Sequence, residues 1–224
     1  MKTVVYIADT DALRDPGCFA FFLDQIDEAR RKKIEAFRQE THRIQSLAAG
    51  ILLLKALKDC GEAVPEIACN AYGKPYFLAR EDLHFSLSHS GRYAMCVLSD
   101  AQAGCDIEEV KSGRENVSKR FFAPDEQAYI ASRHGRNRKE KAFFRIWTRK
   151  ESFVKAKGTG LRFPLASFSA VPGESVLPDN AVFYEYRKIP GYCVSVCLLT
   201  TEDRPRPVFR KTDISELYRL KERL

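Results

Sequence analysis

A hexapeptide in the middle of the chain reads Gly104-Cys105-Asp106-Ile107-Glu108-Glu109. Its alternation of apolar and acidic residues predicts a β-strand, in which successive side chains point to opposite faces. Asp106 and Glu108 then share a face, where two carboxylates repel each other unless a cation lies between them. All-oxygen ligation favours Mg²⁺, although a solvent-exposed strand edge carries charges as well. Gly104 has no side chain, so another backbone or a ligand can approach the strand closely.

About forty residues later comes a second distinctive stretch, Trp147-Thr148-Arg149-Lys150-Glu151-Ser152-Phe153-Val154-Lys155. On a helix, Trp147, Glu151 and Lys155 are spaced by four residues and share one face. Glu151 is therefore a candidate third metal ligand, and Lys155 could meet a phosphate or protonate a leaving oxygen. The alternative is an ordinary surface Glu–Lys pair, which stabilises a helix by only ~0.2–0.5 kcal/mol.

A third stretch, Phe85-Ser86-Leu87-Ser88-His89-Ser90-Gly91, begins as an apolar strand and ends at a turn. His89 can donate a hydrogen bond to a phosphate there, with Ser88 beside it. A turn that Ser and Gly form for structural reasons alone is the alternative. A Ser/His hydrolase is disfavoured because no G-x-S-x-G motif surrounds either serine.

Basic residues in the first half are further candidates for phosphate binding. Gly73 and Pro75 predict a rigid turn that projects Lys74. The predicted helix over 25–38 is strongly basic at Arg30-Arg31-Lys32-Lys33, and Arg43 stands at the start of the apolar helix that follows. Each of these side chains could equally face solvent.

Composition limits the class of protein. The 224 residues are 45% hydrophobic and 30% charged, which is typical of a globular protein and argues against disorder. No apolar run approaches the ~20 residues of a membrane span. The seven cysteines are odd in number, irregularly spaced and without a C-x-x-C pair, so we expect buried thiols in the cytoplasm and no zinc site. The net charge of +7 suggests a polyanionic partner.

The order of predicted elements suggests an α+β fold made of two similar halves. Strands are expected over 2–8, 66–70, 75–78, 83–88, 92–98, 103–109, 166–171, 181–187 and 191–199. Helices are expected over 25–38, 42–59, 114–121, 124–133 and 138–157, with a short one in 214–224. Strands and helices recur in the same order on both sides of residues 99–104. We therefore divide the chain into 1–102 and 103–224, each half a small antiparallel sheet packed with helices.

Taken together, these motifs closely resemble the 4′-phosphopantetheinyl transferases, in particular the longer type that activates surfactin synthetase. The resemblance runs from about Arg30 to Leu161. Its most specific parts are G-x-D-x-E at 104–108 and W-T-x-K-E-x-x-x-K at 147–155, and the segment Arg120-Phe121-Phe122 supports it. Several independent motifs in the same order make a chance match improbable.

The resemblance implies two pseudo-symmetric halves with the active site in the cleft between them. It makes Asp106, Glu108 and Glu151 the Mg²⁺ ligands, and brings Lys155 close to the reacting phosphate. It assigns coenzyme A binding to Lys33, Arg43, Lys74, Ser88, His89 and Lys155, with Lys33 near the 3′-phosphate and Arg30 as a further candidate there. Carrier contacts are expected from Arg120 to Glu126, and the last sixty residues are expected to complete the second sheet.

The implied reaction moves phosphopantetheine from coenzyme A to a serine of an acyl or peptidyl carrier protein and releases 3′,5′-ADP. Glu151 or a metal-bound water accepts the serine proton, and Lys155 is a candidate proton donor to the leaving group. The implied setting is secondary metabolite biosynthesis in the cytoplasm, by a monomer that binds neither nucleic acid nor membrane. Fatty-acid, polyketide, peptide-synthetase and siderophore carriers all remain open.

Two other classes of protein fit part of the pattern. A basic nucleic-acid-binding module would interleave aromatic residues with Lys and Arg on one strand face, and no such pattern appears. A Mg²⁺-dependent nucleotide phosphohydrolase would also use three carboxylates and a lysine, but the chain has no P-loop.

Overall fold

The computed structural model describes residues 3–113, 115–173 and 177–224. Lys2 of the predicted first strand and Arg114 of the predicted helix over 114–121 lie outside these ranges. The strands are β1 (Val4–Asp9), β2 (Ile67–Cys69), β3 (Pro75–Phe77), β4 (His84–Ser90), β5 (Tyr93–Ser99), β6 (Gln102–Glu109), β7 (Ala181–Tyr186), β8 (Tyr192–Leu199) and β9 (Val208–Thr212). The α-helices are α1 (Pro16–Leu23), α2 (Glu28–Ala36), α3 (Glu40–Asp59), α4 (Glu115–Phe121), α5 (Pro124–Ala131), α6 (Arg136–Lys157) and α7 (Ile214–Arg219).

The first sheet has the strand order β4-β5-β1-β9. Helix α3 covers one face of it, because its apolar residues recur around most of the helix and leave almost no exposed side between Ile44 and Leu57. Phe22 and Ile34 from α1 and α2 join the same core. Strands β2 and β3 form a separate two-stranded hairpin.

The second sheet has the order β6-β8-β7, all antiparallel. One of its faces packs against the first sheet. There, Val5 and Val97 of the first sheet share a buried core with Ile107 and Val196 of the second. The two sheets are therefore held together by apolar side chains as well as by the chain that connects them.

The other face of β6 carries α6, and Gly104 permits their close approach. A Cβ atom at Gly104 would lie 2.0 Å from the Ser152 carbonyl oxygen and 2.3 Å from the Ala156 nitrogen, both in the α6 backbone. Only a residue without a side chain lets the helix backbone lie against the strand at this point. This contact brings the acidic strand and the helix with Glu151 together.

A buried charged pair holds α6 on its other side. Lys150 and Glu126 are each 0% exposed, and the Lys150 Nζ lies 2.9 Å from Glu126 Oε2. The ammonium also donates to the carbonyl oxygens of Leu165 and Phe168, while the carboxylate accepts from the backbone N–H groups of Ala123 and Ala170. Every charge is matched, so the network joins α5, α6 and the segment after α6.

The predicted α+β class, with small sheets packed against helices, is confirmed. The strand predicted over 166–171 is wrong, because the backbone there turns to present its carbonyl groups to Lys150, starting with a short 3-10 helix at Leu165–Ser167. The last sixty residues complete the second sheet only in part: β9 pairs in parallel with β1 of the first sheet. Pseudo-symmetry and the division at 102/103 stay predictions.

Within the described residues, no helix is long and apolar enough to cross a membrane.

Substituting Gly104→Ala should destabilise the protein strongly, because the added methyl group would overlap the α6 backbone. We expect a loss of about 3 kcal/mol in the free energy of unfolding, at the upper end of overpacking effects. Gly61→Ala is the control: its φ of 72° is unfavourable for alanine, but nothing lies within 4 Å, so about 1 kcal/mol is expected. Urea denaturation measures both, and equal losses would contradict the close-approach argument.

Substituting Lys150→Met should cost about 3–5 kcal/mol, because it leaves the buried Glu126 carboxylate without a counter-charge. The double variant Lys150→Met/Glu126→Gln removes both charges and should be more stable than Lys150→Met alone. Chemical denaturation of the three proteins measures the difference. If Lys150→Met unfolded within about 1 kcal/mol of the unsubstituted protein, the pair would not have the structural role described above.

Candidate active site

Three carboxylates face one another between β6 and α6. Strand β6 supplies Asp106 and Glu108 from one face, and α6 supplies Glu151. Asp106 is only 3% exposed. Asp106 Oδ2 and Glu151 Oε1 are buried and have no hydrogen-bond partner among the residues that the structure describes. Burial raises the pKa of Glu151 to about 7, and the nearby negative charges of Asp106 and Glu108 add to that rise against the opposing effect of Lys155.

Lys155 supplies the positive charge of this cluster. Its Nζ donates to Asp106 Oδ1 at 2.7 Å and to Ser88 Oγ at 3.0 Å. Burial alone would lower the pKa of Lys155, but attraction to Asp106, with smaller contributions from Cys105 and Glu151, outweighs burial, and the pKa is raised. Lys155 is therefore a protonated ammonium at neutral pH, one helical turn after Glu151.

The donor set fits a hard divalent cation. Two buried carboxylate oxygens without a partner are costly unless a positive group meets them, and oxygen ligands are the ones that Mg²⁺ prefers. In the part of the chain that the structure describes, no group of three or more His, Cys, Asp or Glu side chains is arranged to hold a metal ion as it stands. The fit to Mg²⁺ thus rests on the chemistry of the three carboxylates and on the two oxygens without a partner.

A cavity of about 380 Å³ opens beside this cluster. Its walls come from α2 and α3, the turn between β2 and β3, strand β4, and the end of α6. Basic, aromatic and apolar side chains line it, among them Arg30, Lys33, Phe37, Tyr72, Lys74, His89, Glu151 and Lys155. The cavity thus connects the basic residues of the first half with the carboxylate cluster.

Lys74 anchors one wall of the cavity. Its Nζ donates to the Ala156 carbonyl oxygen at 2.6 Å, near the end of α6, and burial lowers the pKa of Lys74 to about 8. The turn that carries it is fixed by Asn70, whose side chain donates to the Gly158 carbonyl oxygen. Gly158 ends α6 with a φ of 76°, and a Cβ there would lie 2.7 Å from Lys74 Cδ.

His89 and Lys33 also line the cavity. His89 is exposed overall, but neighbouring atoms exclude part of the water from its ring and lower its pKa to about 4, and the charges of Lys155, His42 and Lys33 add to this effect. His89 is therefore neutral at pH 7 and can donate one N–H hydrogen bond to an anion. Arg30, one turn before Lys33 on α2, lines the cavity as well.

Two predicted coenzyme A ligands have other contacts. Arg43 is not among the residues that line the cavity; its guanidinium lies over the Phe19 ring, 5.4 Å from the centroid. Ser88 is 6% exposed, and its hydroxyl group bonds to Asp106 and Lys155. In the predicted carrier-contact segment, Phe122 and Glu126 are buried and cannot meet a partner, whereas Arg120 and Asp125 are exposed.

Sequence reasoning missed two features of this region. Lys150 precedes Glu151 in the W-T-x-K-E motif, yet its ammonium stabilises the fold and lies away from the cavity. Ser86, Ser88 and Ser90, here called the serine seam, bond across from β4 to β6. The serines at every second position were a visible signal, since alternate residues of a strand share a face.

A larger cavity, of about 650 Å³, lies near the first turns of α6 and is lined by Lys111, Arg136, Lys139 and Phe143, among others. None of the three clustered carboxylates lines it. Trp147, which shares a helix face with Glu151, stacks on Phe143 with an interplanar angle of 11°. Of these two cavities, only the smaller one is lined by a residue of the carboxylate cluster.

Comparisons with known proteins place the chain in a family. Residues 102–197 match the model of the 4′-phosphopantetheinyl transferase superfamily. A Bacillus subtilis protein named 4′-phosphopantetheinyl transferase is 34% identical over 147 residues, which are 64% of this chain and 65% of that protein, slightly less than two thirds of its length.

Two further relatives are aligned over more of their length. The 4′-phosphopantetheinyl transferase Sfp of Bacillus subtilis is 29% identical over 79% of this chain and 83% of its own. The 4′-phosphopantetheinyl transferase AcpT of Salmonella typhi is 34% identical over 72% of this chain and 80% of its own. The matched region contains both β6 and α6, and the chain belongs to the 4′-phosphopantetheinyl transferase superfamily, a family of transferases.

Proposed function

We propose that this protein transfers the 4′-phosphopantetheine group of coenzyme A to a serine hydroxyl of an acyl or peptidyl carrier protein, with Mg²⁺, and releases 3′,5′-ADP. The observation that carries the proposal is the junction of a basic cavity with a carboxylate cluster, with Lys155 at the point where they meet. Such a junction can hold a polyanion and a cation side by side. The names of the relatives point to the same reaction.

The cavity supplies the groups that a nucleotide with several phosphates needs. Lys33, Lys74 and the neutral His89 are the proposed donors to these phosphates, and Arg30 lies beside them. Tyr72 and Phe37 add aromatic surface next to the basic groups. Arg43 and Ser88 remain proposed contributors, Arg43 only if its side chain leaves Phe19.

Asp106, Glu108 and Glu151 are the residues that would hold Mg²⁺. When bound, the ion neutralises negative charge on the diphosphate of coenzyme A during transfer. The unpartnered oxygens of Asp106 and Glu151 support this assignment. Lys155, which pairs with Asp106 in this structure, is close enough to stabilise the same charge.

Glu151 and Lys155 are the proposed proton acceptor and proton donor of the reaction. The carrier serine oxygen forms a bond to the β-phosphorus of coenzyme A, and the bond from that phosphorus to the oxygen of 3′,5′-ADP breaks. Glu151 is the proposed acceptor of the serine proton; its pKa of about 7 belongs to the site without a cation, and Mg²⁺ would lower it. Lys155 is protonated and can stabilise the leaving oxygen or donate a proton to it.

We also propose that the protein works as a monomer in the cytoplasm and that neither nucleic acid nor membrane is its partner. All seven cysteines are free thiols, five of them buried, which suits a reducing compartment. The net charge of +7 would attract both coenzyme A and an acidic carrier.

Asp106→Asn and Glu151→Gln should each reduce transfer about 100-fold or more, the scale on which loss of one preorganised electrostatic group acts. Intact mass spectrometry of an apo carrier protein, after incubation with coenzyme A and Mg²⁺, measures the gain of the ~340 Da phosphopantetheine group. A chelator should abolish that gain. Transfer at the unsubstituted rate in either variant would refute the metal-site assignment.

The matched control is Glu109→Gln. Glu109 adjoins Glu108 in β6, points to the other face and pairs with Lys111 at 2.8 Å. The substitution Glu109→Gln removes one carboxylate from the same strand and leaves the three clustered carboxylates in place. The rate of phosphopantetheine transfer should therefore stay within about twofold of that of the unsubstituted protein. Circular dichroism of all three variants checks that they are folded.

Coenzyme A binding should weaken as pH rises through about 8. Burial lowers the pKa of Lys74 to about 8, so its ammonium is fully charged below that pH and is progressively lost above it, together with its attraction to phosphate. Isothermal titration at pH 7 and pH 9, in a chelator, measures the affinity and the proton uptake. Lys74→Met should bind coenzyme A more weakly at pH 7 and lose most of the pH dependence. An unchanged pH profile in Lys74→Met would exclude Lys74 as the group responsible.

A further inference from the structure

The two sheets meet where an edge strand of each lies alongside the other. Strand β4 is at one edge of the first sheet, and β6 is at one edge of the second. They are assigned to different sheets, so backbone-to-backbone ladder bonds do not join them. The serine seam takes their place: Ser86, Ser88 and Ser90 accept hydrogen bonds from the backbone N–H groups of Cys105, Ile107 and Glu109.

Two of these hydroxyl groups also hold the acidic side chains of β6. Ser88 Oγ donates to Asp106 Oδ1 at 2.9 Å, and Ser90 Oγ donates to Glu108 Oε2 at 2.8 Å. A serine hydroxyl has one donor and two acceptor sites. Ser88 and Ser90 thus each donate a hydrogen bond to a carboxylate of β6. Each also accepts one from the backbone N–H of the residue that follows that carboxylate, so the pattern repeats in register along both strands.

This arrangement gives β4 a role in shaping the cluster. The orientation of a Glu side chain depends on three rotatable bonds, so an unsupported Glu108 would lose conformational freedom on binding an ion. A hydrogen bond from Ser90 removes part of that freedom in advance. The same strand carries His89 into the cavity, so one strand positions groups on both the nucleotide side and the acidic side.

We propose that Ser90 is a positioning residue that orients Glu108 for the divalent cation, through its hydroxyl group and from the opposite sheet. The inference rests on the function proposed above, since it takes Glu108 as a metal ligand. Ser90 tests it more cleanly than Ser88, because Ser88 also bonds to Lys155.

The test compares Ser90→Ala, Ser90→Thr and Ser99→Ala with the unsubstituted protein. Mn²⁺ is titrated into each protein saturated with coenzyme A, and free Mn²⁺ is followed by electron paramagnetic resonance, with coenzyme A alone as the blank. Ser90→Ala should bind Mn²⁺ about tenfold more weakly, the scale on which partners of metal ligands act. Ser90→Thr keeps the hydroxyl group and should restore the affinity.

Ser99→Ala is the matched control. Ser99 is 0% exposed, bonds to Thr3 Oγ1 and accepts from the Ala101 backbone N–H, so its hydroxyl group makes the same kinds of bond away from the cluster. It should lower the thermal unfolding temperature without weakening Mn²⁺ binding. A second readout is the affinity for coenzyme A in the presence of a chelator. Ser90→Ala should leave this affinity unchanged, whereas a general distortion of the cavity would weaken it.

Three outcomes would overturn the proposal: Mn²⁺ affinity unchanged in Ser90→Ala, an equal loss in Ser99→Ala, or no recovery in Ser90→Thr. Mn²⁺ binding by the unsubstituted protein distinguishes failure of the Ser90 proposal from failure of the proposed function. If the unsubstituted protein with coenzyme A binds no Mn²⁺ beyond the blank, the metal site itself fails, and the role of Ser90 fails with it. If the unsubstituted protein binds Mn²⁺ and Ser90→Ala binds it equally well, only the role of Ser90 is lost.

Discussion

The close contact between the backbones of α6 and β6 at Gly104 is the constraint on which the site depends. Two backbones packed without an intervening side chain fix the distance between the strand with Asp106 and Glu108 and the helix with Glu151 and Lys155. The cluster is therefore built on rigid elements, and its small spacing is a property of the fold rather than of a loop. The Lys150–Glu126 pair serves the same end from the opposite side of the helix.

Polar groups inside this molecule are used in two distinct ways. The charges of Lys150 and Glu126 are fully matched by one another and by backbone groups, so they stabilise one arrangement of the helices. The carboxylates of Asp106 and Glu151 are buried and incompletely matched, which is typical of a site that has a partner outside the protein. The contrast is sharpest in α6, where Lys150 of the first set and Glu151 of the second are adjacent residues, and it separates structural from functional residues more clearly than burial alone.

The sequence predicted the parts of the site that repeat with the period of a strand or a helix. Asp106 with Glu108 follows from strand alternation, and Glu151 with Lys155 follows from helical spacing, so each pair was placed correctly on its element. It also suggested that Gly104 permits a close approach, although only the structure shows that α6 is the partner.

Arg43 illustrates the opposite case, since its position at the start of an apolar helix says nothing about Phe19. The Lys150 network and the serine seam depend on residues from distant segments, and no local pattern specifies their partners. Strand β9 was missed for the same reason: its pairing with β1 joins residues about 200 positions apart, and the polar composition around it resembles a loop.

The pairing of β9 with β1 has a consequence for synthesis of the protein on the ribosome. Strand β1 is made about 200 residues before β9, and one of its edges has no strand beside it until residues 208–212 have been made. During that interval the nascent chain presents an open strand edge with apolar neighbours, a surface to which other chains can add. The first sheet therefore cannot reach its final strand order until β9 has been made and has docked on β1.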